Sequence, residues 1–242
     1  MIMKKDTTDE KKGAFKKYFL PAISIAATIF AIALVLTAYR PGRYAPVKIT
    51  DQNQISPYLT HKLMPDIYNN AQRGEAFEVV IGQAGLNDIV GRLPQPIRLG
   101  NITLDRPQVV LASEEIIMMA TVQSRPIDFF VTVELNPKIN EQGLLNLHID
   151  SIKLGALSIT GLAKRIGEGV YTNWEAVTEA EPNEPASQIC RSLLRDEPFE
   201  PVFEIRGNNV RISRIDVKAE SISIKFLPVQ EKEKNTARRD AL

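Results

Sequence analysis

The sequence predicts an α+β protein, with an N-terminal transmembrane helix followed by a curved antiparallel β-sheet domain packed on a few short helices. Three observations carry this expectation. Residues 18–39 form a charge-free apolar run. Several segments beyond residue 97 alternate apolar and polar residues with a period of two. Around them lie short stretches with helical spacing, punctuated by Gly and Pro. The chain has 242 residues, 44% hydrophobic and 24% charged, enough for one substantial domain plus an appendage. Its single cysteine, Cys190, excludes an intramolecular disulfide and any Cys-rich zinc or iron–sulfur site.

Residues 1–17 read as a basic cytoplasmic tail. The run from Tyr18 to Tyr39 would be about 33 Å long as a helix, enough to span a bilayer, with a tyrosine at each interface and Pro21 in the first turn, where no N–H is needed. A cleavable signal peptide would have a shorter apolar core, about 7 to 15 residues, and small residues before the cut. Here Leu36 and Ala38 precede Tyr39, and Leu fits that site poorly. Six lysines lie before the span, and Arg40, Arg43 and Lys48 follow it. The positive-inside bias therefore places the N-terminus in the cytoplasm and the main domain outside the cell membrane.

Residues 40–54 read as a polar tether, and residues 55–228 as the extracytoplasmic domain. Ser56-Pro57 supplies an N-cap and a first-turn proline. Leu59, Leu63, Ile67 and Ala71 then recur every four residues, and Pro65 predicts a kink or two short helices. A strand over 77–81 precedes a helix whose Leu86, Ile89, Val90 and Leu93 share a face.

From residue 97 a meander of strands begins. Ile127 to Leu135 alternates cleanly, and Asn136-Pro137 reads as the start of a turn through Asn140 and Gly143. Leu145, Leu147 and Ile149 share one parity while Ile152 and Leu154 share the other, which places a β-bulge near Asp150. Ile116 to Met119 is apolar on both faces, so either a helix covers the second face or that face lines a cavity. Residues 159–178 predict a short helix capped by Thr160 and ended by Gly167 and Gly169. A polar linker over 179–186 leads to a helix from Ser187 to Leu194. The closing strands change parity between Ile212 and Ile215, again indicating strong bends, and the charged tail 229–242 reads as disordered.

Charge and motifs argue against most chemistry. Beyond residue 17 there are 24 cations and 26 anions, which removes the basic field a nucleic-acid binder needs. Arg206, Arg211, Arg214 and Lys218 alternate with apolar residues as a solvated strand face would. His148 and Asp150 share a strand face, yet no serine sits in a nucleophile motif, and His61 lacks a zinc-binding partner spacing. The Gly167/Gly169 pair lacks the Lys of a phosphate loop. Glu114-Glu115 and Asp196-Glu197 read as turn or surface charges, Cys190 as a small core residue, and Asn101-Ile102-Thr103 fits a glycosylation acceptor. No catalytic residue, metal or cofactor is expected, and the protein is read as a non-enzyme.

The stretches FEVVIGQAGLNDIV, VELNPKINEQGLLNLHIDSIKLGALSI and RIDVKAESISIKF, placed after an anchor, tether and helix, resemble the YpmS-like family of bacterial membrane-anchored proteins. They are more distantly similar to the LmeA-like phospholipid-binding proteins. The resemblance covers most of residues 55–228 and implies an extracytoplasmic domain whose curved sheet wraps a helix and holds a lipid; it implies no catalytic residue. The longer stretch between Tyr171 and Phe203 departs from that pattern. Two functions follow as expectations. One is an envelope protein whose outer domain binds a lipid or other hydrophobic ligand, lined by Ile89, Val90, Ile117, Met119 and Phe130. The other is an interaction domain of a cell-envelope assembly, with a protein partner, a solid core and no ligand.

Overall fold

The computed structural model describes residues 25–47, 54–99, 102–123, 128–178 and 184–229. It is an α+β fold of two curved antiparallel sheets and five helices. The first helix, α1, covers residues 25–37. Among the described residues no helix is long and apolar enough to cross a membrane. The start of the expected span, 18–24, lies outside them, as do the N-terminal tail, Asn101 and the tail beyond Val229.

The helix announced by Ser56-Pro57 forms as expected, with Ser56 Oγ accepting the Leu59 N–H at 3.1 Å. A π-helical turn, Leu59–Leu63, runs straight into α2, Met64–Ala71. The wide turn lies just ahead of Pro65, the residue without an N–H, so the predicted kink takes the form of a π-bulge. Strand β1, Phe77–Gly82, and helix α3, Gln83–Gly91, follow.

Strands β2 (Ile97–Leu99), β3 (Ile102–Ala112), β4 (Glu115–Val122), β5 (Phe129–Ile139), β6 (Leu145–Leu154) and β7 (Leu157–Ser158) form a six-stranded meander in chain order. The register shifts where Glu134 pairs with Ser151 and Leu135 with Ile149. Asp150 is therefore the bulged residue, as the parity change predicts. The Asn136-Pro137 turn is corrected: β5 continues through both residues to Ile139, and the reversal occupies 140–144. Pro137 is tolerated because β4 pairs with β5 only up to Leu135. Its partner Leu147 sends its N–H outward to Ser192 Oγ at 2.8 Å, so this is a pair without mutual hydrogen bonds and Pro137's nitrogen faces the free edge.

Helix α4, Thr160–Thr178, is longer than expected and passes through both glycines. Gly167 is a packing residue: a Cβ there would stand 2.6 Å from Leu194 Cδ2 of α5, Pro185–Arg195. Nor does Thr160 cap the helix; its Oγ1 accepts the Ile152 N–H at 2.9 Å, tying α4 to β6. Together α4 and α5 shield the part of β6 that short β7 leaves unpaired, a standard hazard of sheet edges.

The second sheet has the order β1-β10-β9-β8, from β8 (Val202–Ile205), β9 (Asn208–Lys218) and β10 (Ser221–Pro228). Lys225 pairs with Arg214 and Phe226 with Ile212, so Ser213 is bulged and accounts for the second parity change. The main core lies between this sheet, α2, α3 and one face of β3, with Val79, Val109, Leu111, Val210 and Phe226 all buried.

Candidate functional site

The six-stranded sheet has two covers, and each is clipped on by carboxamides. On the core side, Asn87 of α3 accepts the Val109 N–H at 2.8 Å and donates to the Val109 carbonyl at 2.7 Å. Gln83 Oε1 accepts the Leu111 N–H at 2.7 Å. These side chains stand in for a neighbouring strand along the stretch of β3 that β2 does not reach.

On the opposite side, residues 40–47 do not hang free as the expected tether; they lie on the sheet as a strap. Tyr44 is only 3% exposed. Its hydroxyl donates to the Arg106 carbonyl at 2.8 Å and, that proton being used, accepts from Thr121 Oγ1 at 3.0 Å. Gln108 Oε1 accepts the Ala45 N–H at 2.7 Å while its Nε2 donates to the Arg43 carbonyl at 3.3 Å. Arg40 donates to the Tyr44 carbonyl at 3.1 Å, and its guanidinium lies 5.5 Å and 5.8 Å from the ring centres of Tyr44 and Phe130. The two rings meet edge to face at 5.4 Å. Residues 48–53 lie outside the described chain.

The five candidate lining residues do not converge. Ile89 and Val90 pack into the main core. Ile117, Met119 and Phe130 belong to the cluster beneath Tyr44, on the other face of the sheet. The doubly apolar strand has a simple account: Ile116 packs against the core, while Ile117 and Met119 lie under the strap. What packs on the second face is not a helix but an extended segment from just after α1.

Beside the strap cluster the sheet becomes polar. Glu134 takes the Lys153 ammonium at 2.6 Å and the Ser151 hydroxyl. Burial pushes the Glu134 carboxyl upward, but Lys153, Ser151 and the charge of Arg43 outweigh it and hold the group below its ordinary value. Thr132 Oγ1, buried between these groups and Met119, has no hydrogen-bond partner among the described residues.

An apolar row remains open on the core-side face. Met118 is 39% exposed although it stands mid-sheet, paired with Val109 and Val133, and Val133 pairs in turn with half-buried Ile152. Helix α4 also leaves Leu162, Ile166 and Val170, one turn apart, more than half exposed.

The groups considered for chemistry stay dispersed. His148 Nδ1 meets Asp196 Oδ1 at 2.7 Å and its Nε2 faces Asp150 at 3.5 Å, so carboxylates occupy both ring nitrogens and neither serves a serine. Asp196, the left-handed C-cap of α5, is pushed up by burial but held below its ordinary value by Lys164 and His148. Glu114 sits in a left-handed turn whose N–H reaches Val217. His61 is exposed against Thr60 and the Pro57 carbonyl. Cys190 is partly buried, and burial pushes its thiol up. The alternating cations are divided, with Arg211 on Glu200, Arg214 on Asp216 and Arg206 over the Tyr68 ring at 4.3 Å. Among the described residues no cluster of His, Cys, Asp and Glu could hold a metal ion.

No family model, curated protein or solved structure matches the chain.

Proposed function

We propose that the protein is a non-enzymatic, single-pass envelope protein whose outer domain is an interaction module for a cell-envelope assembly, presented at the bilayer surface. The observation that carries the interaction reading is the fate of the five candidate lining residues. All are consumed by packing within the protein, on two opposite faces, while large apolar side chains remain on the outside of α4. Such exposed rows are where soluble domains meet partners.

Membrane anchoring is supported by α1. Ile25, Ile29, Phe30, Ile32 and Val35 are each more than half exposed, and no charged residue occurs from 18 to 39. Each such side chain gains about 1.5–3 kcal/mol on leaving water. A periplasm- or surface-restricted reporter fused to the C-terminus should be active in intact cells; activity only after lysis would overturn the orientation.

A lipid or other hydrophobic ligand is the second reading, and the open row Met118, Val133 and Ile152 favours it. In-cell crosslinking of the full chain at Ile166 or at Met118, followed by lipid extraction and mass spectrometry, separates the two. A protein adduct that survives delipidation supports the interaction module. Acyl lipid attached at Met118, with no protein adduct at either position, supports the ligand reading.

A further inference from the structure

The end of α1 and the strap after it make contacts that a tether has no use for. The Ala156 N–H donates at 2.8 Å to the Leu36 carbonyl at the C-terminus of the helix, which also accepts the Tyr39 N–H at 3.3 Å. The adjoining Gly155 has φ +60° and no side chain, and a Cβ there would meet the carbonyl oxygens of Leu36 and Thr37, the latter at 2.6 Å. Gly155 also donates to the Phe130 carbonyl at 2.6 Å. Phe130 in turn packs against Tyr44. The β6–β7 turn, β5, the helix end and the strap therefore hold one another in a closed circuit; Gln108 holds the strap's backbone on either side of Tyr44, and Arg40 ties back within the strap to the Tyr44 carbonyl.

From this circuit we propose that residues 36–47 are a clasp that locks the outer domain onto the end of its anchor. A free segment over 40–54 could reach about 50 Å when extended. Clasped, the domain has no such reach, so the partner it serves is a molecule resident in or on the same bilayer. The inference rests on the membrane reading of α1, and its test separates the two.

The test uses the full chain with Cys190→Ser, reconstituted in phosphatidylcholine nanodiscs, with spin labels at Leu34→Cys and Lys138→Cys for pulsed dipolar distance measurement. A narrow distance distribution is expected. Tyr44→Ala or Gly155→Ala should broaden it by about twofold or more, and Gln108→Ala, a gentler change, by less. A distribution in the unmodified strap as broad as in Tyr44→Ala would overturn the clasp, whatever the variants do. A separate label at Ile29→Cys reports the anchor: shielding from an aqueous relaxation agent and exposure to lipid-soluble oxygen are expected. Loss of that pattern with a narrow Leu34–Lys138 distance would sink the membrane reading and leave the clasp standing.

Discussion

The two covers of the six-stranded sheet use the same device at very different scale. On one face α3 clips to β3 through Gln83 and Asn87, and the contact is continuous with a core of eleven buried residues. On the other the strap clips to β3 through Gln108, and among the described residues the buried apolar cluster there is small, Ile117 and Met119 with Tyr44 of the strap itself. The comparison teaches that a carboxamide clip reports the cooperativity of whatever it holds. Opening the first should unfold the domain, whereas opening the second should release a local unit.

The largest effect is expected at Asn87. Asn87→Leu leaves the Val109 N–H and carbonyl buried without partners, costing about 3 kcal/mol. A chemical denaturation curve should shift its midpoint without changing slope. Gln108→Leu, made on the shallow side, should cost about 1–2 kcal/mol. Hydrogen exchange should show it locally, with Ala45, and the strands under Tyr44, losing protection before the global core does. Equal exchange at Val79 and Ala45 in that variant would erase the distinction between the two covers.

Thr132→Val sharpens the contrast from the other direction. It deletes a buried hydroxyl with no partner among the described residues and should be neutral or stabilising by up to about 1 kcal/mol, read as a higher melting temperature. A clear loss would mean that the hydroxyl is satisfied by something bound under the strap.

The smallest effect concerns pH. Glu134 and Asp196 are held below their ordinary values in the folded protein, so their stabilisation is complete above the ordinary carboxylate range of about 4. It is lost as pH falls through the lowered values. Glu134→Gln should therefore flatten the acid limb of a stability–pH profile and leave the profile above about pH 6 parallel to that of the parent.

Much of the domain was legible because its signals are local. The Ser56-Pro57 cap, the alternation along β5 and the parity change around Asp150 each reside in a few consecutive residues. What was not legible depended on distant neighbours. Gly167 and Gly169 read as helix breakers, yet α4 continues because Leu194 fills the space over Gly167, where any side chain would collide. Pro137 read as a turn signal, yet its missing donor falls on an edge that β4 leaves vacant. The candidate lining residues fall on two faces for a related reason. Strand parity separated Ile117 from Ile116, but periodicity cannot say that the cover over Ile117 is a strap from residues 40–47. Gln108 and Tyr44 carried the only available hints, a carboxamide in an apolar strand and a lone aromatic in a polar stretch.

The single supernumerary residue at Asp150 has a wider consequence. Because it shifts the rest of the strand by one position, Ser151 and Lys153 emerge beside Glu134, and Ile152 and Leu154 turn toward Val133 and Val131. Pairing Asp150 regularly with Glu134, with no bulge, would invert the polarity of everything downstream to the hairpin, putting an ammonium where oil belongs. A relative lacking the residue itself should instead keep the letters of 151–154 unchanged, since Ile149, Ile152 and Leu154 then fall on one face of an unbroken alternation, with Ser151 and Lys153 on the other.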